Sequence, residues 1–148
     1  MVTDSDRGVS PITFQRRTAM ATYHRWEDFP QRTISYLAGR PDADAIKIRI
    51  LSSARMMLTE ITVKGGGTIP RHHHEAEQII LIQKGEARVT TGKEAPRLLK
   101  AGDIWVVPSN TMHGIEYLGD VEALEMVSPP RMDNFVGYTI KHTFFEGE

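Results

Sequence analysis

What most constrains this chain is a succession of short alternating segments, each closed by a turn signal. Ala45 to Leu51 sets Ile46, Ile48 and Ile50 on one face and Lys47 and Arg49 on the other, the period-two pattern of a half-buried strand. Met56 to Val63 follows and is closed by Gly65-Gly66-Gly67. Gln78 to Gln83 runs into Lys84-Gly85, and Glu86 to Thr90 runs into Thr91-Gly92-Lys93. Leu98-Leu99, Ile104 to Val107, Gly114 to Tyr117, Val121 to Val127 and a last stretch, Val136 to Phe145, continue the series. No segment offers the three or four turns of amphipathic periodicity that a major helix needs. Strands this short, with turn signals about every 8–12 residues, predict an all-β sandwich or barrel. No internal repeat is visible, so one barrel is expected rather than two.

The barrel is expected to occupy residues 45–148, behind an N-terminal arm and outer strand over residues 1–44. Within the arm, Thr18 to Tyr23 suits an outer strand, Trp26, Phe29 and Pro30 suit anchors, and Ala38 to Asp44 suits a loop. At 148 residues the chain buries a core without cross-links. With no cysteine, neither a disulfide nor a thiolate ligand is available. A formal net charge of -1 gives no reason to expect nucleic acid or an anionic membrane as partner. No apolar run approaches membrane-spanning length, and Met1 to Gly8 lacks the hydrophobic stretch of a secretory signal, so the cytoplasm is the expected location.

Chemistry concentrates between Gly66 and Gly85. His72, His74 and Gln78 are all even-numbered, so on an extended chain they point to one face, where imidazoles at i and i+2 converge on one ion. Ile80 and Ile82 continue that face as an apolar floor, and Pro70 with the preceding glycines sets its entry. His73 should face away. A second patch opens at Gly102-Asp103, runs through Ile104-Trp105-Val106-Val107 and bends at Pro108-Ser109-Asn110 to present His113. His24 and His142 stand in no comparable pattern.

These two patches resemble the paired motifs of the cupin family. Gly66, His72, His74, Gln78 and Gly85 fit the spacing of the first, with Gln in place of the usual Glu. Gly102, Pro108, Asn110, His113 and Tyr117 fit the second, with Asn for the inner Gly and Tyr for the final Asn. Asn tolerates the left-handed conformation that the Gly would supply. The resemblance covers roughly residues 45–131. It implies a jelly-roll barrel, a double-stranded β-helix, holding one divalent metal per chain through His72, His74, Gln78 and His113.

Gln78 brings no charge, so three imidazoles and an amide leave the full +2 on the site. That favours a redox-inert Lewis acid, zinc first, over O₂ activation, with iron, nickel or manganese as alternatives. Cupins with this first motif include polyketide cyclases and the pectin-degradation cupins of the KdgF type, which convert unsaturated uronates to linear keto sugars. Glu125-Met126-Val127-Ser128-Pro129-Pro130-Arg131 resembles the acid-x-x-Ser-Pro-Pro-Arg segment of the latter, where the acid, an Asp, and the Arg belong to the active site. The resemblance makes Glu125 a candidate base and Arg131 its partner at the site. The alternative is that Glu125 faces solvent and Arg131 pairs with Asp133.

The expected pocket lining is Met57, Ile80, Ile82, Trp105, Met112, Ile115 and Tyr117, several of which are equally suited to plain barrel core. A bulky apolar lining suits a flat hydrophobic substrate, so the leading expectation is a cyclase closing an aromatic polyketide intermediate by aldol condensation. Uronate linearisation, an iron-dependent dioxygenase and a non-catalytic binding module follow in that order. A uronate enzyme would carry an inward basic residue besides Arg131. The partner set expected is a small-molecule substrate and a second copy of the chain in a homodimer.

Overall fold

The structure, a computed structural model, describes residues 20–34, 40 and 43–131. Ten strands follow in order: β1 (Arg32–Thr33), β2 (Ile46–Ser52), β3 (Met57–Val63), β4 (Gly67–His72), β5 (Glu77–Lys84), β6 (Glu86–Thr91), β7 (Arg97–Lys100), β8 (Ile104–Val107), β9 (His113–Tyr117) and β10 (Val121–Ser128). Single 3-10 turns at Trp26–Asp28 and Ala43–Ala45 are the helical elements among the described residues, and neither is long enough to cross a membrane.

The strands form two antiparallel sheets, one ordered β1-β2-β3-β10-β5-β8 and the other β4-β9-β6-β7. Alternation drives the packing. In β3 every second residue, Met57, Thr59, Ile61 and Val63, is buried, and β2 repeats the pattern with Ile46, Ile48 and Ile50. These inward rows line up across the sheet by register: Ile48, Ile61, Ala123 and Ile82 in one, Ile50, Thr59, Glu125, Ile80 and Trp105 in the next. The row nearest the barrel mouth is Met57, Val127, Gln78 and Val107. From the facing sheet, Ile69, Val89, Ile115 and Tyr117 complete one continuous core. Each fully buried Ile or Val contributes on the order of 1.5–3 kcal/mol.

Sequence periodicity locates β2, β3 and β5 to β10 closely, including the short β7 around Leu98-Leu99, but not β1, and Met20 to Tyr23, expected in an outer strand, lie in no strand. The two arm anchors, Trp26 and Phe29, pack edge to face with centroids 6.3 Å apart and border a hollow with Leu51 and Leu58 on the outer face of the larger sheet. Val136 to Phe145 lies outside the described residues.

One backbone position tests the motif reading. Asn110, standing where the motif has glycine, has φ of 57°, the left-handed conformation that Asn tolerates. Gly114, just after His113, is required by close approach instead. A Cβ there would lie 3.1 Å from the backbone N and Cγ of Arg71, whose guanidinium reaches over to the Gly92 carbonyl at 2.9 Å. Gly114→Val is expected to cost about 1–3 kcal/mol through that overpacking, read as a lower denaturant midpoint with an unchanged slope.

Candidate metal centre

His72 does not reach the interior by simple alternation. On β4, Ile69 pairs with Ile115 and His72 with His113, so three steps on one strand match two on the other. The extra residue is a β-bulge at Pro70-Arg71, where proline's missing N–H costs no ladder bond. The bulge resets parity and turns both Ile69 and His72 inward. After His72 the chain leaves β4, and residues 73–76 cross to the other sheet, where β5 begins. The expectation of one extended strand carrying His72, His74 and Gln78 is therefore corrected. His72 is aimed by a bulge, His74 stands in the crossing, and only Gln78, Ile80 and Ile82 share a strand face. His73 is exposed, as expected.

The three imidazoles nonetheless converge. Ring centroids of His72 and His113 are 4.4 Å apart, those of His74 and His113 4.8 Å, and those of His72 and His74 5.5 Å. Their ligand nitrogens all lie within 4.8 Å of one another. His72 and His113 are buried, and His74 is half-buried.

Local hydrogen bonds fix the tautomer of each ring. His72 Nδ1 lies 2.7 Å from the Pro70 carbonyl, His74 Nδ1 2.8 Å from that of Ala76, and His113 Nδ1 2.7 Å from that of Thr111. A carbonyl only accepts, so each neutral ring holds its hydrogen on Nδ1 and presents the Nε2 lone pair. His113 Nε2 is buried with no hydrogen-bond partner. His74 Nε2 faces Gln78 Oε1 at 3.0 Å, and with this tautomer both atoms are acceptors. Facing lone pairs at that distance repel, and a cation shared between them removes the repulsion. Ligand atoms on one ion, with bonds of about 2.0–2.2 Å, are naturally about 3 Å or more apart. The donor set fits a divalent metal.

Electrostatics keep the rings neutral. Burial pushes His72 down to about 2, with His113, Arg131 and His74 adding to it against the Pro70 bond. Burial, then Arg131 and His113, lowers His74 to about 4. His113 is lowered by burial foremost, opposed by its bond to Thr111 and helped by Arg131, His73 and Arg71. At neutral pH a metal therefore meets deprotonated ligands. Because these folded values lie below the unfolded value of about 6.5, the unfolded chain binds more protons between them. Metal-free protein is expected to hold full stability above about pH 6.5 and to lose it progressively as pH falls toward 4 and below. Thermal melts of the metal-free protein across that range check it.

Two acid and base candidates remain to be placed. Glu125 shares the parity of buried Ala123 and Val127 and pairs with buried Thr59 and Ile80, so the register faces it inward rather than to solvent. Arg131, beyond the cis Ser128–Pro129 bond, is only 7% exposed and depresses all three histidines. Asp133 lies outside the described residues. Of the expected lining, Met57, Ile80, Ile82, Ile115 and Tyr117 belong to the packed core. Trp105, 8% exposed, stands edge-on to His113 at 5.9 Å and donates to Thr91 Oγ1 at 3.0 Å, while Met112 is half-buried before β9. Among the described residues, Arg131 is the one buried lysine or arginine, so the further inward basic residue expected of a uronate enzyme is not found among them. Sequence reading passed over Thr59, a buried threonine opposite Glu125 that period-two alternation alone could have flagged.

Two antiparallel sheets closing on three converging imidazoles define a metal-binding β-barrel. The chain belongs to the cupin superfamily. The family described as "Cupin domain" matches residues 59–128. The pectin degradation protein KdgF of Dickeya dadantii (strain 3937) is 33% identical over 93 residues, spanning 61% of this chain and 84% of that protein. The structure of KdgF from Halomonas sp. superposes with a TM-score of 0.64 at 25% identity, covering 77% of this chain and 98% of that one. An RmlC-like cupin from Shewanella frigidimarina NCIMB 400 shares the fold, with a TM-score of 0.65 at 23% identity over 77% of this chain and 96% of its own.

Proposed function

We propose that this protein is a metal-dependent, non-oxidative enzyme that opens an unsaturated uronate to a linear keto sugar. The observation that carries the reading is Arg131, a buried guanidinium whose charge is felt by all three site histidines. A buried cation beside a cationic metal site favours an anionic substrate, and a planar guanidinium matches a carboxylate in bidentate fashion. The likeness to KdgF points the same way. A polyketide cyclase gains no specific support: most of the apolar residues that favoured it fill the core, and Glu125 puts a carboxylate on the inner face.

His72, His74, His113 and Gln78 would hold the metal, zinc by preference. When bound, it supplies Lewis-acid stabilisation of an oxygen that gains negative charge. Arg131 binds the substrate carboxylate and fixes the ring over the site. Glu125 takes the proton of the anomeric hydroxyl as the ring C–O bond breaks, giving an aldehyde at that carbon and an enolate at the former ring oxygen. Return of the proton to the alkene carbon completes the keto product, so the reaction is an isomerisation with no water or oxidant consumed. The test is incubation with unsaturated galacturonate. Loss of the double-bond ultraviolet absorbance, with a linear keto product by NMR and no oxygen uptake, is expected. Absence of turnover would sink this reading.

We also propose a homodimer. Ile79, Leu81, Leu124, Met126, Ile104 and Val106 align by register on the outer face of the larger sheet, and Ile104 and Val106 are 63% and 53% exposed. A polar residue is the usual occupant of such positions. Sedimentation is expected to show a dimer, and Val106→Lys with Ile104→Lys a monomer.

A further inference from the structure

Thr59 is a buried polar side chain to which the proposed chemistry assigns no role. It is 2% exposed, and its Oγ1 is buried with no hydrogen-bond partner among the described residues. Valine has nearly the same shape and would fill this place without an unpaired hydroxyl. A hydroxyl without a partner in a barrel core costs stability, so its presence calls for an occupant that satisfies it at some stage.

Register names that occupant. Thr59 lies directly opposite Glu125 across the β3–β10 pair, on the inward face that both share. Side chains directly opposite on one face have Cβ atoms about 4.5–5.5 Å apart, within reach of a hydroxyl–carboxylate hydrogen bond through side-chain rotation alone. Their remaining neighbours in this row, Ile50, Ile80 and Trp105, offer the hydroxyl no carboxylate or carbonyl oxygen from their side chains. A carboxylate accepts several hydrogen bonds, so a bond from Thr59 adds to any other that Glu125 makes.

We infer that Thr59 is a positioning residue for Glu125: once substrate is bound, its hydroxyl donates to the carboxylate and holds it in the rotamer that takes the substrate proton. Glutamate has three side-chain torsions, and a base displaced from its near-attack geometry loses rate rather than affinity. This inference rests on Glu125 acting as the base in the function proposed above.

The experiment compares Thr59→Val and Thr59→Ser with the wild type for metal content, melting temperature and steady-state kinetics on unsaturated galacturonate. Thr59→Val is expected to keep its metal, melt several degrees higher, and lose about tenfold in kcat with KM unchanged. Thr59→Ser, which keeps the hydroxyl, should recover most of the rate. In a Glu125→Gln background Thr59→Val should have little further effect on kcat, since the two act as a unit. An unchanged kcat in Thr59→Val would overturn the inference while leaving the proposed function standing. So would a rise in KM alone, which marks a substrate contact, or a lower melting temperature, which marks a structural bond. Absence of turnover by the wild type would overturn the proposed function and this inference together.

Discussion

His72→Ala and His113→Ala are each expected to purify without metal, where the wild type carries about one divalent ion per chain. Both rings offer Nε2 to a common point and are held there by hydrogen bonds from Nδ1 to carbonyls two residues away. Removing even an outer partner of a ligand costs about 10–100-fold in affinity, and removing the ligand itself should exceed that. His113 Nε2, buried without a hydrogen-bond partner, is the sharper case, because nothing else at that position satisfies it. Elemental mass spectrometry beside activity on unsaturated galacturonate checks the result. Zinc in the wild type, lost with turnover in both variants, supports a redox-inert site. Full metal occupancy in either variant would remove that histidine from the ligand set.

Arg131→Gln is expected to lower kcat/KM on the same substrate by about 10–100-fold, mostly through KM. The figure follows from losing a charge-assisted bond to the substrate carboxylate, worth about 1.5–3 kcal/mol. A second effect should accompany it. Arg131 lowers the proton affinity of His72, His74 and His113, so its removal raises theirs. Protons then compete with metal at higher pH, and acid release of the metal should begin earlier than in the wild type. Kinetics and a pH titration of bound metal read the two consequences separately. If kcat/KM is unaffected, Arg131 does not bind the substrate.

The barrel was legible because inward residues of β2, β3 and β10 alternate with few interruptions, and because Gly85 and Gly102 mark turns where the chain reverses. The histidines were legible by type and spacing. How His72 and His74 reach the metal position was not, since parity along one strand cannot reveal a bulge at Pro70-Arg71 or a crossing between sheets. A bulge is a property of two paired strands, visible only once Ile115 and His113 are set against Ile69 and His72. The apolar pocket was left open for a related reason. Met57, Ile82 and Tyr117 have the side chains of a lining and of a core alike, and all three are buried in the core cluster. Arg131 was found through its segment rather than its chemistry, because an arginine just past a strand end is ordinarily a surface residue.

The placement of the four candidate ligands on both sides of the sheet crossing has a thermodynamic consequence. His72 and His113 belong to the smaller sheet, while Gln78 belongs to the larger one and His74 to the segment joining them. An ion gripped by all four would belong to neither sheet alone and would be bound only when the two are closed against each other. Its binding free energy is then folding free energy, worth about 2.7 kcal/mol at a free concentration one hundred times the dissociation constant. The melting temperature would then become a readout of metal supply, and starvation for the ion would loosen the junction between the two sheets.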